Sequence, residues 1–422
     1  MAVSLSGGGG GIARVFQNRN YRLFWSGQAL LNVGNWIYRV TGAWLAWELT
    51  HSTAWLGLIA AGATLPSLIL GPLAGTTSDR YGHRRQLMTS TTVSLCSTLI
   101  AGTLTAMGWM TIELLFAVTL MGGITRSFNV PSRNALVPSI VEPQNISSAI
   151  AINSATYQGS NFIGPAVAGV LITQVGVVPS FFIYAAGVAC ALFTLSSITV
   201  APRPPREGPK RSLIGDLADG LRYTTTHKGI RAVMLMSTIV ALLVSPYLDM
   251  LASVSATVFH MGAEGLALLG SSAGAGALMG GMFVAWRGRI EGLVRIQGLA
   301  ILGSVIGLAI FSLSHIFVLS CAAVWMIGVC VVMGSTSGDS LTQNAVDPTM
   351  RARVTSVQSM ITVGMPSLGA VAIGWAGEHL GIQLPFTIAA GLGFCMWLVL
   401  SRNVTAQRAQ LERPRELAKA PI

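Results

Sequence analysis

Arg39, Arg126 and Asp249 stand inside stretches that are otherwise almost wholly apolar. An ionisable side chain in such surroundings faces a water-filled cavity or a partner, because a lone charge is costly to desolvate. Arg39 and Asp249 have opposite charge and similar depth in two separate runs, so they can attract one another. Asp249 can equally be satisfied locally or serve as a proton carrier. Arg126 lies near the end of its run, where a guanidinium either snorkels to water or binds an anionic group. Asn153, Tyr157 and Asn161 recur at i, i+4 and i+8 and so share one polar helix face. Asn32 and Asn35 add two amides near the start of the chain. Such groups line a cavity or join helices by hydrogen bonds. Asp339 reads as interfacial, and Glu48, Glu113, Glu264 and Glu378 read as solvated ends of their runs.

Nothing else in the chain carries chemistry. No GxxxxGK[ST] loop is present to cradle a nucleotide phosphate, and no HExxH pair or Ser/His/Asp set stands out. Cys96, Cys190, Cys321, Cys330 and Cys395 all fall in apolar segments without metal-ligand spacing, so they read as buried thiols. Enzyme chemistry, a cofactor and a metal site are therefore not expected. The formal charge of +11 could point to nucleic acid. The basic residues sit in short connections between apolar runs, which is the pattern of a membrane surface instead.

The elements that must position these residues follow from composition. The 422-residue chain is 52% hydrophobic and only 10% charged, with a mean hydropathy of +0.63. A soluble chain with so few charges could not cover its surface, whereas lipid accepts it. A spanning helix needs about 20 mostly apolar residues. Twelve such runs lie near 22–49, 54–77, 86–107, 109–131, 146–173, 179–200, 230–258, 264–286, 293–314, 316–340, 354–379 and 383–401. Of the 26 basic residues, all but Arg39 and Arg126 fall in alternate connections or the termini, Arg133 among them. The positive-inside rule then places both termini in the cytoplasm.

Residues 1–21 and 402–422 read as cytoplasmic tails around two six-helix bundles, 22–200 and 230–401. The interval 201–229 is the only long polar one and reads as a cytoplasmic linker. Within it, Leu213, Leu217 and Leu221 predict a short amphipathic helix on the membrane surface. A shift of 201 residues places Tyr157 on Gln358, Asn161 on Thr362 and Pro165 on Pro366, in the fifth and eleventh runs. These matches suggest an internal duplication, with Gln358 and Thr362 as cavity candidates in the second half. Paired halves with a site between them are a common transporter plan.

The connection after the second run reads Gly75-Thr76-Thr77-Ser78-Asp79-Arg80-Tyr81-Gly82-His83-Arg84-Arg85. It resembles the GxxxDRxGRR signature of the major facilitator superfamily, with His83 in place of the usual Arg or Lys. The resemblance implies an all-α membrane protein with twelve transmembrane helices in two pseudo-symmetric six-helix bundles. It also implies a cytoplasmic latch, in which Asp79 meets the start of the eleventh run, here carrying Arg351 and Arg353. Arg80, Arg84 and Arg85 either belong to that latch or anchor topology. Gly159, Gly164-Pro165 and Gly169 in the fifth run resemble the GP-containing antiporter motif, although simple helix packing accounts for them equally. Asn18 to Trp25, Pro131 to Pro138 and Arg351 to Val354 resemble the enterobactin-exporter and macrolide-efflux branch. Asn35 departs from that branch, where many relatives carry an acid, and so does Ala352, where glycine is common.

The resemblance implies a secondary transporter in the bacterial inner membrane, acting by alternating access as a monomer and binding neither nucleic acid nor a cofactor. The expected activity is proton-coupled export of a small organic molecule, either siderophore or drug-like. An uptake carrier of the same fold and a non-transporting scaffold or sensor are the alternatives.

Overall fold

The structure is a computed structural model and describes residues 10–198 and 213–412, apart from a few side chains within helices. In chain order the helices are α1 (Gly10–Gln17), α2 (Arg19–Thr50), α3 (Thr53–Tyr81), α4 (His83–Ala106), α5 (Ile112–Ile140), α6 (Ile146–Val175) and α7 (Val177–Ser196). Then follow α8 (Leu213–Thr226), α9 (Lys228–Ile239), α10 (Leu251–Thr257), α11 (Ala263–Arg287), α12 (Leu293–Leu313) and α13 (Phe317–Ala345). The chain closes with α14 (Arg351–Ser359), α15 (Met365–Leu380), α16 (Gln383–Ala406) and the short α17 (Arg408–Leu411). Among the described residues nine helical segments are long and apolar enough to cross a membrane. Helices α2, α5 and α6 reach 32, 29 and 30 residues but carry more polar groups.

Several helices run past the edges expected from hydropathy. Helix α5 continues through Pro131 and Pro138 to Ile140, so Arg133 lies inside a helix rather than in a connection. Hydropathy locates the lipid-facing part of a helix, whereas backbone hydrogen bonding carries the helix on beyond it.

The described residues fall into two compact units. The first holds the chain through Gly42 and from Pro66 onward to 198. The second holds Ala43–Leu65 and the chain from 213 onward. The break at Leu65/Pro66 falls inside α3.

In the first unit, Asn18 caps α2. Its side-chain oxygen accepts from the backbone N–H of Asn20 at 2.9 Å and of Tyr21 at 3.2 Å, and its amide donates to the Ile140 carbonyl at 2.9 Å. The start of α2 is thereby tied to the end of α5. Tyr21 is fully buried among Val15, Phe24, Leu87, Leu136 and Leu195. Small residues let helices touch. A Cβ on Gly27 would collide with Thr194, and one on Gly164 would collide with Trp36. Helix α4 is rich in hydroxyls, and they bond back to their own helix. Thr89 donates to Arg85, Thr91 to Leu87, Thr92 to Met88, Thr98 to Ser94 and Thr105 to Ala101, at 2.7–3.0 Å.

In the second unit, α11 and α13 pack at very short range. Gly276 and Gly280 face the carbonyls of Trp325 and Val329, and Gly328 faces that of Ala273. Between α9 and α10 the helix is irregular, with a π turn at Val240–Val244 and a 3₁₀ stretch at Ser245–Met250. Pro246 has no N–H for the Leu242 carbonyl one turn back, which accounts for the irregularity. Gly369 of α15 packs directly on that carbonyl. A second π turn, Met360–Gly364, precedes Pro366.

The amphipathic helix expected near Leu213 is α8, and it packs within the second unit. Leu217 and Tyr223 pack against Ile230, Met234, Val346 and Val354. Asp219 pairs with Arg353 at 3.3 Å, and the Tyr223 hydroxyl accepts from the Asp347 backbone N–H at 3.2 Å.

Candidate functional site

The first unit gathers a basic and aromatic set from four helices. Arg126 and Arg133 are two turns apart on α5 and so share a face. Arg133 feels the charge of Arg126 and the Tyr157 phenol of α6. Arg126 also acts electrostatically on Tyr184 of α7. Tyr184 lies beside Tyr38 of α2 with ring centroids 5.0 Å apart, and Tyr38 meets Phe181 edge-on at 5.6 Å. Arg126 and Tyr157 are exposed. Among the described residues no carboxylate forms an ion pair with either arginine. Two like charges on one helix face and, among the described residues, without a carboxylate partner suit a ligand that carries negative charge.

The polar face of α6 divides in use. Asn153 accepts from the Tyr21 hydroxyl at 3.4 Å, and the neighbouring Thr156 accepts from the Trp25 indole at 2.9 Å. That end of the stripe joins helices, whereas Tyr157 remains open. Asn32, Asn35 and Asn161 are half-buried on their helices. Arg39 is half-buried, with its guanidinium 5.1 Å from the Trp36 ring centroid.

The second unit contributes a carboxylate and an amide. Gln358 of α14 is buried and donates from its amide to Asp339 of α13. Sequence alone read Asp339 as an interfacial residue, because it stands near the end of its run. The signal that could have found the pair is the duplication itself, which singles out Gln358. Thr362 is exposed, and its hydroxyl donates to the Gln358 carbonyl at 3.1 Å. Asp249 is half-buried in the 3₁₀ stretch beside the fully aromatic contact of Tyr247 with Phe311.

The loop carrying the signature is a tight corner. Gly82 alone separates α3 from α4 and has φ 90°, a conformation that disfavours any side chain. Arg84 donates to the carbonyls of Leu195 at 3.3 Å and Ser196 at 2.7 Å, closing the C-terminal end of α7. Arg80 lies over the Tyr81 ring and Arg85 is exposed. The side chain of Asp79 and the surroundings of Gly75 lie outside the described residues. Arg353 pairs with Asp219, and Arg351 is half-buried at the start of α14.

The GP motif of α6 has a packing role. Gly164 meets Trp36 and Pro165 is buried in an unbroken helix, while a Cβ on Gly159 would meet open space. Gly169 offers its carbonyl to the Thr173 hydroxyl at 2.9 Å.

One acid that sequence reasoning set aside makes specific bonds. Glu378 of α15 accepts from the backbone N–H groups of Thr53 and Ala54 at the start of α3. The Thr53 hydroxyl reaches the Gly374 carbonyl at 2.7 Å, and Thr64 bonds Ser367. Gly57 and Gly374 bring the two helices together. All of these residues belong to the second unit. Glu48, also read as solvated, accepts from the Trp44 indole at 2.7 Å.

Comparison with known proteins covers nearly the whole chain. The family described as transmembrane secretion effector matches residues 12–420. Macrolide efflux protein A of Streptococcus pyogenes is 23% identical over 393 residues, 89% of this chain and 93% of that protein. The staphyloferrin A transporter of Staphylococcus aureus is 23% identical over 387 residues, 90% of this chain and 94% of that protein. Among solved structures, a nucleoside transporter, NupG, superposes with TM-score 0.70 at 14% identity, covering 91% of this chain and 99% of that one. A bacterial homologue of the human lysosomal transporter Spinster superposes with TM-score 0.68 at 13% identity, covering 95% and 99%. These two likenesses establish the fold.

Proposed function

The chain belongs to the transmembrane secretion effector family of the major facilitator superfamily, and from that premise we propose that it exports a small organic molecule by alternating access. The observation that carries this reading is the near-full-length similarity to proteins named for macrolide efflux and staphyloferrin A transport. The irregular stretch between α9 and α10 supports it, because discontinuous helices in transporters place backbone groups beside a substrate or ion.

Arg126, Arg133, Tyr157, Tyr38 and Tyr184 form the substrate-binding set of the first unit and favour a molecule bearing a carboxylate or similar anionic group. Asn32, Asn35, Arg39 and Asn161 extend that set. The second unit has its own polar groups in Gln358, Thr362, Asp339 and Asp249, and one of the two carboxylates couples export to protons. The protein works as a monomer in the bacterial inner membrane with both termini cytoplasmic, as the distribution of basic residues supports.

The test is substrate accumulation in everted and right-side-out membrane vesicles under an imposed pH gradient, with a macrolide and a carboxylate siderophore as probes. Export predicts accumulation in everted vesicles that collapses with the gradient and is lost in Arg126→Gln. Accumulation only in right-side-out vesicles would assign uptake instead. No movement of any probe in either orientation favours the scaffold.

A further inference from the structure

Where α1 turns into α2, the corner leaves a recess of about 390 Å³ lined by Phe16, Arg19, Arg22, Leu23, Trp25 and Ser26. Both arginines are exposed and lie three residues apart on one helix face. No lining residue is acidic, and among the described residues neither guanidinium has an ion-pair partner. The opposite wall is apolar and fixed. Trp25 is held by its hydrogen bond to Thr156 and by the Phe16 ring, edge-on at 5.0 Å. The recess therefore presents two cationic forks beside a rigid aromatic surface.

Its depth follows from the length of α2. Thirty-two residues at about 1.5 Å each make a rod of roughly 48 Å, against about 30 Å of hydrocarbon. About 18 Å of the helix therefore lies beyond the hydrocarbon, and its basic first two turns are the end that the positive-inside rule assigns to the headgroup layer. There Arg19 and Arg22 would face lipid phosphates, and Trp25 would stand at the boundary that aromatic side chains favour. A free inorganic anion would satisfy the guanidinium pair and leave the apolar wall uncovered. An amphiphile covers both.

We propose that this recess binds the headgroup phosphate of an anionic phospholipid, with the acyl chain lying along Leu23 and Trp25. Arg19 and Arg22 hold the phosphate through paired N–H donors. The site is independent of the transport reading, since it uses none of the residues assigned to substrate.

Native mass spectrometry of the full chain in detergent tests it, with phosphatidylglycerol and phosphatidylcholine of matched chains as probes. The unaltered chain should retain phosphatidylglycerol preferentially. The Arg19→Gln/Arg22→Gln chain should bind it roughly thirtyfold more weakly, as expected for two arginines at a membrane surface. Arg19→Lys/Arg22→Lys, which keeps the charge but loses the paired donors, should restore only part of the binding lost in the glutamine chain, and Arg402→Gln, on α16, should keep all of it. If the double glutamine variant does not fold, Arg22→Gln alone carries the test, with roughly fivefold weakening expected. Undiminished retention by the glutamine variants overturns the proposal. So does equal retention of phosphatidylcholine by the unaltered chain, or displacement of the lipid by millimolar inorganic phosphate, which would assign the recess to a free anion.

Discussion

Glu378 Oε2 accepts a hydrogen bond from the Thr53 backbone N–H at 2.8 Å, across 325 positions of sequence. A helix begins with N–H groups that lack partners, and its positive end favours an anion. Helix α3 has no acid in its first turn, so α15 supplies one. Glu378→Ala should lower stability by about 1–2 kcal/mol, read as a lower unfolding midpoint in detergent. Glu378→Gln keeps an acceptor and should lose less. Equal midpoints for all three chains would show that the cap contributes nothing.

The α11–α13 seam makes a sharper prediction. At Gly328 an added Cβ falls within 3.0 Å of the Ala273 carbonyl oxygen, where backbone cannot yield easily. Gly328→Ala should cost about 1–3 kcal/mol through overpacking. At Gly298 the same change meets open space, and the better helix propensity of alanine should leave stability equal or slightly raised. Comparing the two midpoints separates seam packing from any general intolerance of change.

Glu412 sets a pH dependence. Burial pushes its carboxyl upward, but N–H donors from Gly292, Arg408 and Val294 outweigh burial and hold it below its ordinary value. The folded chain therefore favours the carboxylate. The contribution is fully present above the unfolded glutamate value of ~4.3 and is lost as pH falls through the folded value. Thermal midpoints measured from pH 7 down to pH 3.5 should fall less steeply for Glu412→Gln than for the unaltered chain. Parallel curves would exclude this group.

Asp219 and Arg353 join α8 to α14 at 3.3 Å, with Asp219 largely exposed. A pair so open to solvent is worth little, and a double-mutant cycle with Asp219→Asn and Arg353→Gln should give a coupling of about 0.2–1 kcal/mol. High salt should reduce it further. A coupling above that range would mean that the pair acts within a larger network.

Much of the helical plan is legible in the sequence, because apolar runs and basic connections record lipid and water directly. Arg133 escaped that reading, since proline at 131 suggests a helix end and only the folded chain shows α5 continuing. The bonds of Asp339 and of the exposed Glu378 escaped it for another reason. Both residues stand near the ends of runs, where hydropathy assigns them to water, and their partners Gln358 and Thr53 are distant in sequence. The assignment of Ala43–Leu65 to the second unit depends on close contacts such as Gly57 with Ala370, which no local pattern announces. The tyrosines of the basic set, Tyr38 and Tyr184, look like ordinary apolar residues until α2 and α7 are brought together.

The hydroxyls of α4 bear on how the chain enters the bilayer during synthesis. Thr89, Thr91, Thr92, Thr98 and Thr105 bond to carbonyls of their own helix, so they need no neighbour to mask them. Such a helix can leave the insertion machinery alone, before the later segments have been made. Asn153 and Gln358 differ, because their partners lie on other helices. Helices α6 and α14 thus gain their full compatibility with lipid only on assembly, and they are the segments whose membrane integration should depend most on the rest of the chain.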